Sequence, residues 1–115
     1  MEESILTSTK AVLGIDEGVE SFDLDVTVFI NSALATLDQL GVGPAGGLVI
    51  DGPSAVWASL SVPDNQLSMI KTYIFLKVRM LFDPPATSFA ISAFNNQIEQ
   101  HEWRLNMFRE TEPTP

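Results

Sequence analysis

Between Leu67 and Phe82 the apolar residues fall at three- and four-residue spacing on two separate lines, which predicts a helix that is apolar around most of its circumference. Leu67, Ile70, Ile74, Val78 and Leu81 form one stripe, and Met69, Tyr73, Leu76 and Met80 form the other. Only a narrow face with Lys71, Phe75, Arg79 and part of Lys77 is left for solvent. Such a helix needs packing from more than one side, either in the middle of a bundle or against a neighbouring subunit. Asp64 is placed to N-cap it, and Asp83, Pro84 and Pro85 stop it near Phe82.

The rest of the chain reads as three more helices and one interruption. Ile5, Leu6, Val12 and Leu13 are spaced for a short helix, with Glu2 and Glu3 at the favourable end of its dipole and Gly14 placed to end it. Ile15 to Phe22 is an acidic loop. The cleanest amphipathic helix starts near Asp23, with Asp25 in its first turn. It carries Val26, Phe29, Ile30, Ala33, Leu34, Leu37 and Leu40 on one stripe and ends at Gly41. From Val42 to Pro63 the glycines and prolines exclude helix through most of the segment. There Leu48-Val49-Ile50 and Ala55-Val56-Trp57-Ala58 flank the turn-forming Asp51 to Ser54, which predicts a short β-hairpin or two extended arms anchored by Trp57. The last helix restarts at Thr87 or Ser88 as its cap. It puts Phe94, Ile98, His101, Leu105 and Phe108 on one face, extended by Ala90 and Ile91, and Trp103 and Met107 on another that a partner can reach. The expected fold is all-α: a small bundle of about four helices, with a short β-hairpin or extended arm between the second and third. Residues 1–110 are expected to form one helical domain and 111–115 a flexible tail.

Composition adds a reason to look for a partner. Hydrophobic residues make up 45% of the 115 and charged residues 18%, against roughly 25% charged in an average soluble protein. A charge-poor surface suits an obligate oligomer, although a monomer with polar uncharged loops has the same composition. The net charge of −9 is uneven: ten acids face Lys10 alone in residues 1–64, while five acids balance five bases in residues 65–115. An acidic half repels phosphates, which argues against a DNA-binding domain and is compatible with a channel through which DNA slides without sticking. For the acidity alone, plain solubility is the better explanation of the two. There is no cysteine, so disulfides and thiolate metal sites are excluded. The acidic Met1 to Ser4 start does not resemble a secretory signal, and the apolar run Tyr73 to Phe82 is about half of the ~20 residues a membrane span needs.

Tests for site chemistry mostly fail. Gly43 to Gly47 is glycine-rich but follows a helix and lacks the Lys-Ser/Thr of a phosphate cradle. His101, Glu99 and Glu102 do not share a helical face as metal ligands would, so a partly buried histidine on a packed helix is the better reading. Asp23 with Asp25 is accounted for by helix capping, and Asp16 with Glu17 by a solvated loop. No serine sits in a nucleophile elbow and only one histidine is present, so no enzyme and no cofactor are expected. Lys71, Lys77, Arg79, Arg104 and Arg109 lie in the last two helices. They can pair with the acidic half across a subunit boundary, or each can belong to an ordinary solvated face.

Four segments carry a family resemblance: Ser4-Ile-Leu-Thr-Ser-Thr-Lys-Ala-Val-Leu-Gly-Ile-Asp16, Phe29-Ile-Asn-Ser-Ala-Leu-Ala-Thr-Leu-Asp-Gln-Leu-Gly-Val-Gly43, Lys71-Thr-Tyr-Ile-Phe-Leu-Lys-Val-Arg-Met-Leu-Phe-Asp-Pro-Pro85 and Glu102-Trp-Arg-Leu-Asn106. In order and spacing they resemble the small head-tail connector proteins of long-tailed bacteriophages, especially those of phages of Gram-positive bacteria. The likeness covers most of the chain and is least sharp from Ala45 to Asp64. It implies a helical virion subunit, made in the host cytoplasm, that assembles as a ring, commonly dodecameric, beneath the portal at the capsid vertex. Such a ring extends the DNA channel, helps retain the packaged genome, and offers a platform to the next stopper or tail completion protein. The resemblance also implies that the C-terminal segment engages the portal, which maps to Trp103, Arg104, Met107, Arg109 and the tail after them. Subunit contacts then fall to Met69, Tyr73, Leu76 and Met80 with Lys71 and Arg79, and the channel-facing acids to Asp16, Glu17 and Glu20. An acidic regulatory or DNA-mimic protein is the other reading, distinguished by salt-sensitive binding to a basic enzyme and no affinity for a portal.

Overall fold

A computed structural model describes residues 4–43 and 47–111, with side chains as far as Met107. Four α-helices account for most of the described residues: α1 (Ile5–Val12), α2 (Asp23–Gln39), α3 (Asp64–Phe82) and α4 (Ser88–Thr111). A short 3-10 helix, Trp57–Leu60, lies between α2 and α3. Helix α3 packs against α1, α2 and α4, which is the several-sided burial that its two apolar stripes require. The molecule measures 45 × 36 × 21 Å. Its thinnest dimension corresponds to two helix layers at roughly 10 Å each.

The ends of α1 and α2 follow from local sequence. Ser4 caps α1 by accepting a hydrogen bond from the Thr7 N–H at 3.2 Å. At its other end Gly14 takes φ 80°, its N–H reaches the Ala11 carbonyl, and the Ile15 N–H reaches the Lys10 carbonyl. Helix α2 ends the same way: Gly41 at φ 79° donates to the Asp38 carbonyl and Val42 to the Leu37 carbonyl. This paired closure needs a left-handed residue, which explains why glycine stands at both positions. Pro84 and Pro85 follow the end of α3, where the Asp83 N–H bonds the Arg79 carbonyl at 2.8 Å. Thr87 caps α4 by accepting from the Ala90 N–H at 3.1 Å.

Two expected caps are absent. Phe22 occupies the N-cap position of α2 and Pro63 that of α3, and neither helix start has a side-chain cap bond. Asp64 instead sits in the first turn of α3, where its charge suits the dipole. Asp23 has another partner, described below.

The predicted β-hairpin does not form, and no strand occurs among the described residues. Backbone groups of Ile50 and Ala55, one residue from each arm, are used elsewhere. The Asn31 side chain donates to the Ile50 carbonyl at 2.9 Å and accepts from the Ile50 N–H at 2.8 Å. The Ile5 N–H takes the Ala55 carbonyl at 3.0 Å, beside a single antiparallel bridge between Ser4 and Val56. Each arm is therefore tied to a helix through one residue's backbone, an anchorage that a lone ribbon in water would lack. Trp57 is the anchor expected, buried with its indole N–H on Ser8 Oγ at 3.2 Å and its ring meeting Phe75 edge to face.

The core joins Ile5 and Leu6 of α1, Val26, Ile30, Ala33, Leu34 and Leu37 of α2, and Ile70, Tyr73, Ile74 and Val78 of α3. Ile98 and Leu105 of α4 join it, as do Val42, Ile50, Trp57 and Leu60 from the segment between α2 and α3. Within α3 the expected main stripe holds at Ile70, Ile74 and Val78, whereas Leu81 is 48% exposed at the end of the helix. Phe75, assigned to solvent by its position, is half-buried against Trp57. The tail residues 112–115, the acids Glu2 and Glu3 and the loop residues 44–46 lie outside the described residues; Thr111, assigned to the tail, is the last residue of α4.

Candidate functional site

The acidic loop after α1 is built around a buried cation. Lys10 stands one turn beyond Leu6 on the inward face of α1 and is 2% exposed. Its ammonium lies 2.7 Å from Asp23 Oδ1, 2.6 Å from the Val19 carbonyl and 3.2 Å from that of Glu17. Two backbone carbonyls accept hydrogen bonds from the ammonium and the Asp23 carboxylate balances its charge as an ion pair, although Asp23 Oδ1 itself stands outside hydrogen-bond geometry. The loop is drawn round the lysine while its own carboxylates point away, leaving Asp16, Glu17 and Glu20 exposed. Sequence reasoning missed this. The available signal was a lone base among ten acids, four residues after a buried-face leucine.

A polar lock joins α3 to α4. The Tyr73 hydroxyl donates to Glu102 Oε2 at 2.8 Å, and Lys77 Nζ approaches the same oxygen at 3.9 Å. Burial, reinforced by the neighbouring carboxylate, pushes the Tyr73 hydroxyl well above its ordinary range, so it stays a donor. This corrects the expectation that Tyr73 faces a neighbouring subunit. Its side chain is fully buried inside its own, because a phenol on the α4 side of α3 finds both an apolar pocket and a carboxylate there. The other members of the set are nearer the surface: Met69, Lys71, Leu76 and Met80 are half-buried and Arg79 is exposed. Lys71 lies over the Trp57 ring at 5.3 Å, and the Arg79 guanidinium over Phe94 at 5.4 Å.

Two surface features gather the remaining sequence candidates. An open groove of about 180 Å³ runs between α1 and α4 over α3, lined by Val12, Thr72, Phe75, Leu76, Arg79 and Phe94. Leu76 and Arg79 from the expected subunit interface meet there; Met69 and Met80 do not line it. The second feature is the outer face of α4, where Trp103 and Arg104 share a shallow depression with Asn96, Glu99 and Gln100. Trp103 is 65% exposed and Met107 37%. The Arg109 side chain lies outside the described residues. His101 is half-buried, as expected, with Nδ1 2.9 Å from the Gln97 carbonyl. Among the described residues no group of His, Cys, Asp and Glu is arranged to hold a metal ion. No helix among them is long and apolar enough to cross a membrane.

The family model described as phage connector protein matches residues 5–112, nearly the whole chain. The chain belongs to the phage connector family. Its role is that of a structural connector of the phage particle, which implies a place in the virion and contact with other head or tail proteins. No curated protein and no solved structure matches the sequence. The connector match begins at the first residue of α1 and continues past the end of α4, so it takes in the Lys10 loop, the groove and the outer face of α4 together.

Proposed function

We propose that this connector assembles into a closed homo-oligomeric ring, dodecameric in its common form, beneath the portal, where it extends the DNA channel and joins capsid to tail. The family match along residues 5–112 carries this reading. Residues 1–110 act as one connector unit, without catalysis and without a cofactor, and the subunit is made in the host cytoplasm before it enters the head-tail interface. Trp103, Arg104, Met107 and Arg109 engage the portal. In support, an exposed indole beside an arginine on a helix face is the residue pairing that protein interfaces favour. Asp16, Glu17 and Glu20 face the passage, where exposed carboxylates repel the phosphates of passing DNA and keep it sliding. Copies meet on the outward side of α3 at Leu76, Arg79, Lys71, Met69 and Met80. The far side of the ring receives a stopper or tail completion protein.

Light scattering and electron microscopy of the purified chain, alone and mixed with its portal, test the proposal. A ring in either condition is the expected result, and a stable monomer in both sinks it. A chain shortened to end at Phe108 should keep its helix content by circular dichroism apart from the last three residues of α4, and lose portal attachment. Equal portal binding by the shortened chain counts against C-terminal docking.

A further inference from the structure

Helix α2 has an apolar edge that stands exposed among the described residues. Its buried face uses Val26, Ile30, Ala33, Leu34 and Leu37. On the opposite side Leu24 is 75% exposed and Val28 53%, one turn apart, and Ala35 continues the same line in the open. Large apolar side chains standing at i and i+4 on a solvent face form a ridge suited to another surface. Asp25, exposed, follows Leu24 on the helix, and Asp23 and Asp51 line a depression beside Leu24, so the surroundings of the ridge are acidic.

The groove over α3 is the matching concavity. Val12, half exposed, forms one wall, Phe94 the other, and Phe75 and Leu76 lie between. Arg79 is the one charged residue in its lining. Around α3, Thr72 and Arg79 stand about 150° from the mean direction of the buried Ile70, Ile74 and Val78, so α1, α2 and α4 leave this arc open. No residue of α2 lines it. Ridge and groove are thus different surfaces of one subunit, opposite in shape and in charge, and contact between them is possible only from copy to copy.

We propose that the groove of one subunit receives the Leu24 and Val28 ridge of a second copy of this chain, with Asp25 meeting Arg79. This rests on the ring reading above and names its contact. The interaction is head to tail, since the two faces are not the same, and repeats of one rotation either close a ring or continue as a filament. Charge fixes the register. The acid of the ridge comes from the half of the chain with net charge −9, and the base of the groove from the half that is neutral. Arg79 is positioned by Phe94, 5.4 Å from its guanidinium, and by a long 3.5 Å hydrogen bond from its Nε to the Asp83 carbonyl, and its terminal nitrogens are the donors offered to a carboxylate.

The absence of native cysteine makes the contact directly testable. The full-length chain carrying both Val28→Cys and Thr72→Cys, two exposed or half-exposed positions, is oxidised alone and on purified portal. A ladder of covalent multimers is expected, with either single variant stopping at a dimer or below. In parallel, Asp25→Arg and Arg79→Glu each raise the concentration for half-assembly by roughly tenfold or more, and the two together restore it. If the wild type assembles but the ladder is missing and the reversals change nothing, the groove belongs to a different partner and this inference is overturned while the ring stands. If the wild type stays monomeric alone and on the portal, the ring reading falls with it.

Discussion

Replacing Lys10 with methionine isolates the device that shapes the acidic loop. Methionine fills nearly the same volume but leaves the Asp23 carboxylate without its counter-charge and the carbonyls of Glu17 and Val19 without their donor. Removing one partner of a buried ion pair costs about 3–5 kcal/mol where the other charge is trapped. The Asp23 side chain retains 31% of its exposure and can rehydrate, so we place Lys10→Met at about 2–3 kcal/mol. With a urea slope of about 1–1.5 kcal/mol/M for a chain of this size, the unfolding midpoint falls by roughly 2 M. The measurement is equilibrium urea unfolding by circular dichroism at matched protein concentration, because assembly would add its own stabilisation. Hydrogen exchange of the loop backbone should rise before that of α2 and α3, since the loop has few apolar contacts of its own. Adding Asp23→Leu to Lys10→Met should recover part of the loss by removing the orphaned charge. A midpoint shift below roughly 0.5 M, or a loop that exchanges as slowly as in the wild type, would refute the claim that a buried cation organises this segment.

Other outcomes follow from single contacts. Tyr73 is the only tyrosine and its folded pKa is raised, so its contribution to stability is complete below about pH 10 and is lost as pH climbs above that. Tyrosinate absorbance should therefore appear together with loss of helix signal; ionisation near pH 10 in an intact fold would contradict the burial. Tyr73→Phe should cost about 1 kcal/mol in thermal unfolding by releasing Glu102 from its donor. Asn31→Leu removes both bonds to Ile50 and should cost about 2 kcal/mol, with faster exchange from residue 48 to 56. Trp103→Ala should leave the unfolding midpoint within about 0.5 kcal/mol of wild type, as for an exposed residue, and weaken portal binding by roughly tenfold or more as an interface anchor would. Unchanged portal affinity would remove α4 from the docking surface.

The helices were legible because their positions depend on short-range rules. Spacing of apolar residues identified α2 and α3, and the glycines at 14 and 41 marked ends that require left-handed backbone. The segment from Leu48 to Ala58 misled because its alternation and turn residues are those of a hairpin, and only the folded chain offers Asn31 and Ile5 as better partners for its backbone. Asp23 misled in the same way, since a carboxylate at a helix start normally caps and here a lysine from another helix claims it. The candidate surfaces were partly visible: Trp103 and Met107 stand outside the stripe of α4, and the sequence placed them there.

The sequence by itself determined the helices and where they stop, the two-sided burial of α3, the uneven charge and the connector family. These depend on residues a few positions apart or on totals. Tertiary structure alone decided that Tyr73 turns inward to Glu102, that Lys10 is the hub of the acidic loop, and that an open groove lies beside Arg79. Each of those turns on which helices become neighbours, and a side chain that reads as a surface residue along one helix changes role when another helix brings it an acceptor or a cover.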